Sequence, residues 1–475
     1  MQNQSHNILD TDRIGRLLMK LTVPMFFGMF VQTIYSVVDI IFIGHYVGPD
    51  GIAGLSIVFP IQMLSMGIGS MVGVGGASLI SRTIGGGDQR SAERALGNGI
   101  TFSIIFSFLL ILIILPSMNF LLKLIGASEN VLPYARDYLI ITTGGGTFNI
   151  ASSVLLYFVR AEGNARVGMI SMMLASILNI ILDAVFIISL GMGVKGAALA
   201  NVISQMVALI YVLSYYLTGS SYLKIRASNF APDLKILKPM FSIGITQFAQ
   251  TIASSLSAMF LIRMAVTYGG DIALSAFGIV QRIMMFSSIP GMVLGQGMQP
   301  VLSYNYGAKR YHLAIKAITT PLVASLIFSM VAFLVLFFIP EPIIRIFTTD
   351  TQLVAESAYA ARRIFLVLPL FGFYNVGTLV FPAIGKAVES FIIAVARPVL
   401  FLTPLVLILP HFYQMNGVWL SFPGSDILTF LLNVALLVPL IRRFQKAAAT
   451  EKPGKTIPIT TGRILDPAES RRIIK

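Results

Sequence analysis

The chain is predicted to be an all-α membrane protein, with twelve transmembrane helices in two six-helix lobes that repeat one another in parallel. Three observations lead there. Of 475 residues, 56% are hydrophobic and only 11% charged, with mean hydropathy +0.83, whereas soluble domains carry about 25% charged residues. The apolar residues gather into segments of about 20 or more, the length that crosses a bilayer. The sequence also matches itself when slid by 222 residues.

The spans fall at about 21–45, 52–81, 95–116, 137–159, 167–190, 196–217, 238–268, 274–304, 314–339, 357–383, 391–410 and 417–440. The first follows a polar segment (1–20) and is too long for a signal-peptide core, so it reads as a retained span. Several exceed 25 residues and should be tilted or bent. Pro24 in the first span either kinks the helix from inside or opens it as a first-turn proline. The spans divide the chain into an N-lobe (21–217), a linker (218–237), a C-lobe (238–442) and a basic tail (443–475), expected to be solvated.

The net charge of +14 would suit a nucleic-acid binder, but the basic residues lie between apolar segments, where they set topology. No nucleic-acid partner is expected. With both termini cytoplasmic, 25 Lys and Arg fall inside and 6 outside, so the positive-inside rule puts both ends in the cytoplasm of a cell-membrane protein. Cysteine is absent, which excludes disulfides and thiolate metal sites.

The internal repeat aligns "IAGLSIV" (52–58) with "LSAFGIV" (274–280), and Gly73, Gly75, Ser81, Gly85 and Gly163 with Gly295, Gly297, Ser303, Gly307 and Gly385. With a one-residue slip, Gly196 meets Gly417 and Leu199 meets Leu420. Six spans per repeat give both lobes the same polarity, related by an axis along the membrane normal. Transporters built this way bind substrate between lobes and rock to alternate access.

Polar residues inside spans are costly, about 2.5–3.5 kcal/mol for a central Asp on an insertion scale, and mark function by default. Gln32, Ser36 and Asp39 lie on one face of the first span. Ser176, Asn179 and Asp183 lie on one face of the fifth, in "ILNIILDAVFII", and the sixth adds Asn201, Ser204 and Gln205. Two nearby carboxylates in low dielectric resist double ionisation, so the pair can take up and release a proton near neutral pH. The same oxygens, completed by amide carbonyls, could hold sodium, and spacing leaves the ion open between the two. Asp39 could also snorkel to water near the end of its span, and the amides could be interhelical glue.

Gln247, Gln250 and Ser254 share a face of the seventh span and are candidate substrate contacts, with Gln281 and Tyr35 as weaker ones. The polar faces around Gln32, Ser36 and Ser176 join them. Met63, Met66, Met284, Met285 and Met292 suit an adaptable wall, or plain core. Asp426 is either a counter-charge for a cationic substrate or the partner of a neighbouring Arg; Arg263, Arg282 and Arg397 lie near or within C-lobe spans.

"GGGD" (85–88) and "GGG" (144–146) lack the lysine, hydroxyl and preceding strand of a phosphate loop, so ATP is not expected as the driver. His6, His45, His312 and His411 give no zinc spacing. The GxGD signature of intramembrane aspartyl proteases is missing around Asp39, Asp183 and Asp426, so an enzyme is not expected. No cofactor is expected beyond a coupling ion, and the chain should act as a monomer.

Several motifs in order resemble the multidrug and toxic compound extrusion (MATE) family. They are "TVPMFFGMFVQTIYSVVDIIFIGHYVG", "GVGGASLISRTIGGGD", "GNARVGMISMMLASILNIILDAVFI", "GVKGAALANVIS", "GQGMQPVLSYNYGAK" and "GVWLSFPGSDIL". The similarity spans about residues 10–442 and is nearest to the bacterial branch of MepA- and DinF-type exporters. It implies efflux of drug-like, often cationic compounds driven by inward flow of protons or sodium ions. It also implies a cation site in the N-lobe, with Asp39, Asn179 and Asp183 at the matching positions. Relatives often have threonine where this chain has Asn201, so ion identity stays open. NorM-type relatives use acidic residues in spans seven and ten, which carry no interior carboxylate here. An acidic residue at the place of Asp426 is common among relatives. The alternative within the same superfamily is a flippase for lipid-linked oligosaccharide or peptidoglycan precursors, whose strongly basic cavity would call on Arg263, Arg282 and Arg397.

Overall fold

The computed structural model describes residues 8–450, and no strand occurs among them. Eleven helices are long and apolar enough to cross a membrane, or twelve with one bent pair counted as a span. In chain order they are α1 (Ile14–Tyr46), α2 (Pro49–Gly85), α3 (Gln89–Ile125), α4 (the pair Leu132–Gly144 and Gly146–Ala161, bent by 54°), α5 (Ala165–Ser189) and α6 (Gly193–Leu217). The second half has α7 (Leu234–Gly270), α8 (Ile272–Gly307), α9 (Tyr311–Phe338), α10 (Thr351–Ile384), α11 (Ala387–Tyr413) and α12 (Met415–Ala449).

Local sequence sets the ends. Asp88, Asn164 and Asp233 cap α3, α5 and α7 by accepting the Ser91, Val167 and Lys235 N–H groups. Gly270, at φ 63°, separates α7 from α8. The 37 residues of α3 make a rod of about 55 Å, longer than the roughly 30 Å hydrocarbon layer, so its ends project. Its outward Phe108, Leu112, Ile113 and Phe120 are exposed, as lipid-facing side chains should be. Helix α1 begins at Ile14, which makes Pro24 an interior residue. It leaves the Lys20 carbonyl without its helical donor, a weak point for bending.

The apolar cores reveal how the lobes meet. One continuous cluster joins Leu18 and Leu21 of α1, Ile80 and Ile84 of α2 and Phe158 of α4 to Met298, Val301 and Leu302 of α8 and Phe381 of α10. Toward the opposite end each lobe has a core of its own: Ile43, Val58, Leu139 and Ile187 in the first half, and Phe277, Leu336, Val418 and Trp419 in the second. The halves are therefore fused at one end and separately packed at the other.

The repeat seen in sequence recurs in space. Ser81 Oγ donates to the Ala161 carbonyl at 2.7 Å, and Ser303 Oγ donates to the Ala383 carbonyl at 2.7 Å; each residue of one pair is 222 positions from its counterpart. Where α2 crosses α8, a methyl on Gly85 would strike the Tyr304 carbonyl and one on Gly307 the Arg82 carbonyl. Only glycines let the two backbones approach this closely.

The connection between halves is docked on the first half. Asn98 Nδ2 donates to the Asn229 and Ala231 carbonyls at 3.1 Å each, and its Oδ1 accepts the Asp233 N–H at 3.0 Å. Just beyond the end of α4, buried Glu162 accepts from Ser221 Oγ (2.6 Å), the Tyr222 N–H (3.2 Å) and Tyr215 OH (3.4 Å). Burial pushes the Glu162 carboxyl up to about 7, against the pull of these hydrogen bonds.

Several boundaries and placements differ from the sequence reading, α1 among them, which starts at Ile14 inside the expected polar segment. Helix α7 starts at Leu234, so the connection ends at 233. Helix α12 runs to Ala449, taking in the start of the expected tail; residues 451–475 of that tail lie outside the described residues. Arg160, counted among loop cations, is buried in α4, where its Nη1 donates to Gln296 Oε1 of α8 at 2.7 Å. It ties the two halves together at the fused end.

Candidate cation and substrate site

Helix α5 packs along α1 and α6 and turns one polar stripe inward. Ser176, Asn179 and Asp183 are at most 4% exposed, as their i, i+3, i+7 spacing dictates. After Asp183 the helix widens into π-helical turns over Ala184–Ser189, where the Leu190 N–H reaches back to the Val185 carbonyl at 2.9 Å. Such bulges are common at functional sites because they re-aim the residues beside them.

With its amide nitrogen facing Asp183, Asn179 donates to Asp183 Oδ2 at 3.2 Å, and its oxygen accepts the Asn201 backbone N–H at 3.3 Å. Asn179 thus orients one carboxylate oxygen and links α5 to α6. Asp183 Oδ1 is buried without a hydrogen-bond partner, and so is Asp39 Oδ1 of α1. The two carboxyl groups lie within range of each other's charge, and Tyr35 of α1 and Tyr138 of α4 lie within range of both. Gln62 of α2 donates to Tyr138 OH at 3.4 Å. Five helices of the first half thus contribute to one polar centre. Two oxygen atoms without donors, taken out of water, suit a proton or a small cation as the missing partner. Among the described residues no three His, Cys, Asp or Glu side chains converge to hold a metal.

Not every candidate joins this centre. Gln32 and Ser36 are exposed, and Ser36 Oγ is bonded to the Gln32 carbonyl at 3.0 Å. Asn201 meets Asn179 through its backbone. Gln62 and Tyr138 were not singled out from the sequence. Gln62 was legible as a lone amide in the apolar run "FPIQML"; Tyr138 carries no comparable signal, since tyrosine is ordinary near a span end.

The second half holds a separate polar group. Arg397 Nε lies 2.7 Å from Asp426 Oδ1, with Asp426 buried and Arg397 largely so, and the guanidinium is 4.7 Å from the centre of the Phe371 ring. Arg397 sits in a second π-helical stretch, Ala396–Leu402. Of the two readings of Asp426, the structure has it paired with Arg397. Gln250 donates to Tyr374 OH at 3.3 Å, and the Arg397 guanidinium lies 5.7 Å from the Tyr374 ring. Gln247 is half-buried, whereas Gln281, Arg263 and Arg282 are exposed.

Known proteins agree with this architecture. The chain is 26% identical over 444 residues to the multidrug export protein MepA of Staphylococcus aureus, covering 93% of this chain and 97% of that one. It is 26% identical over 432 residues to MepA of Staphylococcus haemolyticus, covering 91% and 95%. Crystal structures of MATE in the bent and in the straight conformation each superpose with a TM-score of 0.88 at 25% identity, covering 93% of this chain and 98% of theirs. The MatE family model matches residues 24–185 and 243–407, one stretch in each half. With that match over both halves and similarity to these transporters over most of its length, the chain belongs to the MatE family of multidrug and toxic compound extrusion transporters.

Proposed function

We propose that this protein exports lipophilic, often cationic compounds by antiport against an inward flow of protons or sodium ions. The observation that carries the reading is the Asp39–Asp183 centre, two membrane carboxylates held among α1, α2, α4, α5 and α6, each with a buried oxygen lacking a donor. Loading such a pair with a cation removes a repulsion that exists only in the empty state. Any conformation that brings the carboxylates closer is therefore favoured by the ion, which is the differential affinity coupling requires. Helix α1 carries Asp39 and the interior Pro24. Cation uptake bends or shifts α1 at that weak point, collapses the drug space in the N-lobe and releases the drug outward. The existence of bent and straight forms of a related MATE supports such a motion.

Orientation follows from the basic residues: with both termini cytoplasmic, the fused end of the lobes faces the cytoplasm and the separately packed end faces outward. That arrangement suits release to the exterior. Against the flippase reading, Arg397, one of its three candidate cations, is neutralised by Asp426.

The test is transport in proteoliposomes, comparing an imposed pH gradient with a sodium gradient across a panel of lipophilic cations. One gradient should drive uphill movement in the wild type and fail with Asp183→Asn, which still inserts. Full gradient-driven export by that variant would refute the coupling role.

A further inference from the structure

We propose that the groove between the start of α3 and the interlobe connection binds a phosphate-bearing anion. The groove has a volume of about 540 Å³, and its lining includes Arg90, Glu93 and Arg94 of α3 with Lys224, Arg226 and Asn229 of the connection. Four of these six side chains are cationic. Two of the four are already neutralised: Arg94 Nη1 lies 2.9 Å from Asp233 Oδ2, and Arg226 Nε lies 3.5 Å from Glu93 Oε2. The second oxygen of Glu93 accepts from Gln89 Nε2 at 3.1 Å. Of the other nearby carboxylates, Asp88 caps α3 through the Ser91 N–H, and Glu162 is taken up by Ser221, Tyr222 and Tyr215.

Arg90 and Lys224 are left over. Both are exposed, and neither forms an ion pair among the described residues. An independent feature points the same way. Asn229 is only 7% exposed, and its Nδ2 has no acceptor, although its carbonyl is engaged by Asn98 and Gly97 packs against its backbone. Buried amide donors normally have acceptors. What the groove leaves unpaired is therefore two exposed positive charges, a set complementary to phosphate oxygens, with the unpaired Asn229 amide belonging to a residue of its lining. A topology signal alone needs basic residues in the segment, not their convergence with an unpaired buried amide on one cavity.

The groove lies where α3 and α7 begin, beside the ends of the spans, so a phospholipid headgroup and a soluble phosphate compound can both reach it. Native mass spectrometry of the full chain in detergent measures phosphatidylglycerol binding, with phosphatidylcholine as the uncharged comparison. Each basic side chain near an anionic headgroup is worth roughly a fivefold factor, so Arg90→Gln with Lys224→Gln should weaken phosphatidylglycerol binding about thirty-fold. Lys123→Gln with Arg136→Gln, at the other end of the spans, removes the same charge and should change it less than twofold. Equal losses in both pairs, or no loss of either phosphatidylglycerol or inorganic pyrophosphate binding in the first, would overturn the proposal. Lys224→Glu, a single exposed change, gives the same reading if the double variant is poorly produced. Loss of pyrophosphate binding in the Arg90 and Lys224 double variant with phosphatidylglycerol unchanged would assign the site to soluble phosphates, and the reverse pattern would assign it to the headgroup.

Discussion

Arg397 Nε lies 2.7 Å from Asp426 Oδ1, with the two side chains only 13% and 6% exposed. A charge pair this deep is held by its own geometry and not by water. Removing one partner leaves the other uncompensated, at a cost of about 3–5 kcal/mol, whereas apolar replacement of both can be neutral. Asp426→Ala and Arg397→Met should each lower thermal stability in detergent strongly, and Arg397→Met with Asp426→Leu should recover most of the loss. A stable Asp426→Ala with altered substrate affinity would instead favour a direct role in drug binding.

The crossing of α2 and α8 depends on Gly85 and Gly307 facing the opposite helix's carbonyls. Gly307→Ala forces the helices apart, an overpacking change expected to cost about 1–3 kcal/mol. By the symmetry of the repeat, Gly85→Ala should act alike. Unfolding temperatures unchanged in both would count against the tight crossing.

Asp39 and Asp183 act as one unit if they share a cation. Asp39→Asn and Asp183→Asn should each abolish gradient-driven export, and the double variant should be no worse than either single one, because residues that work together are not additive. The readout is initial export rate in proteoliposomes. Multiplying losses would mean that the carboxylates serve separate steps.

Glu162 should make stability depend on pH. Its carboxyl is raised to about 7 by burial, so the native state holds the proton more tightly than the unfolded chain does. The contribution is complete below about 4.5, and it is lost as pH rises through about 7, a change on the order of 3 kcal/mol. Hydrogen exchange of residues 221–223 should speed up between pH 6 and 8 in the wild type more than in Glu162→Gln. Identical profiles would place the titration elsewhere.

Spans, lobes and repeat could be read from the sequence because bilayer length and hydropathy act on each segment by itself. The inward stripe of Ser176, Asn179 and Asp183 follows from helical spacing alone. By contrast, Tyr138 and Gln62 reach the same centre from α4 and α2, and no spacing rule connects them to Asp183. Pro24 could not be placed until the helix start was known. Arg160 looked like a loop cation because it follows an apolar run; its burial depends on Gln296 arriving from the other half.

The amino-acid order alone determined which segments enter the membrane, that they come as two like-oriented sets of six, and which few of them carry acidic groups. Those properties rest on transfer free energy and on 3.6-residue periodicity, which are local. Only the tertiary structure decided that Asp426 is matched by Arg397, that Glu162 grips the connecting segment, and that the halves are fused at one end and separately packed at the other. Each of these is a meeting of side chains or cores far apart in the chain, set by how the helices cross and not by any one helix.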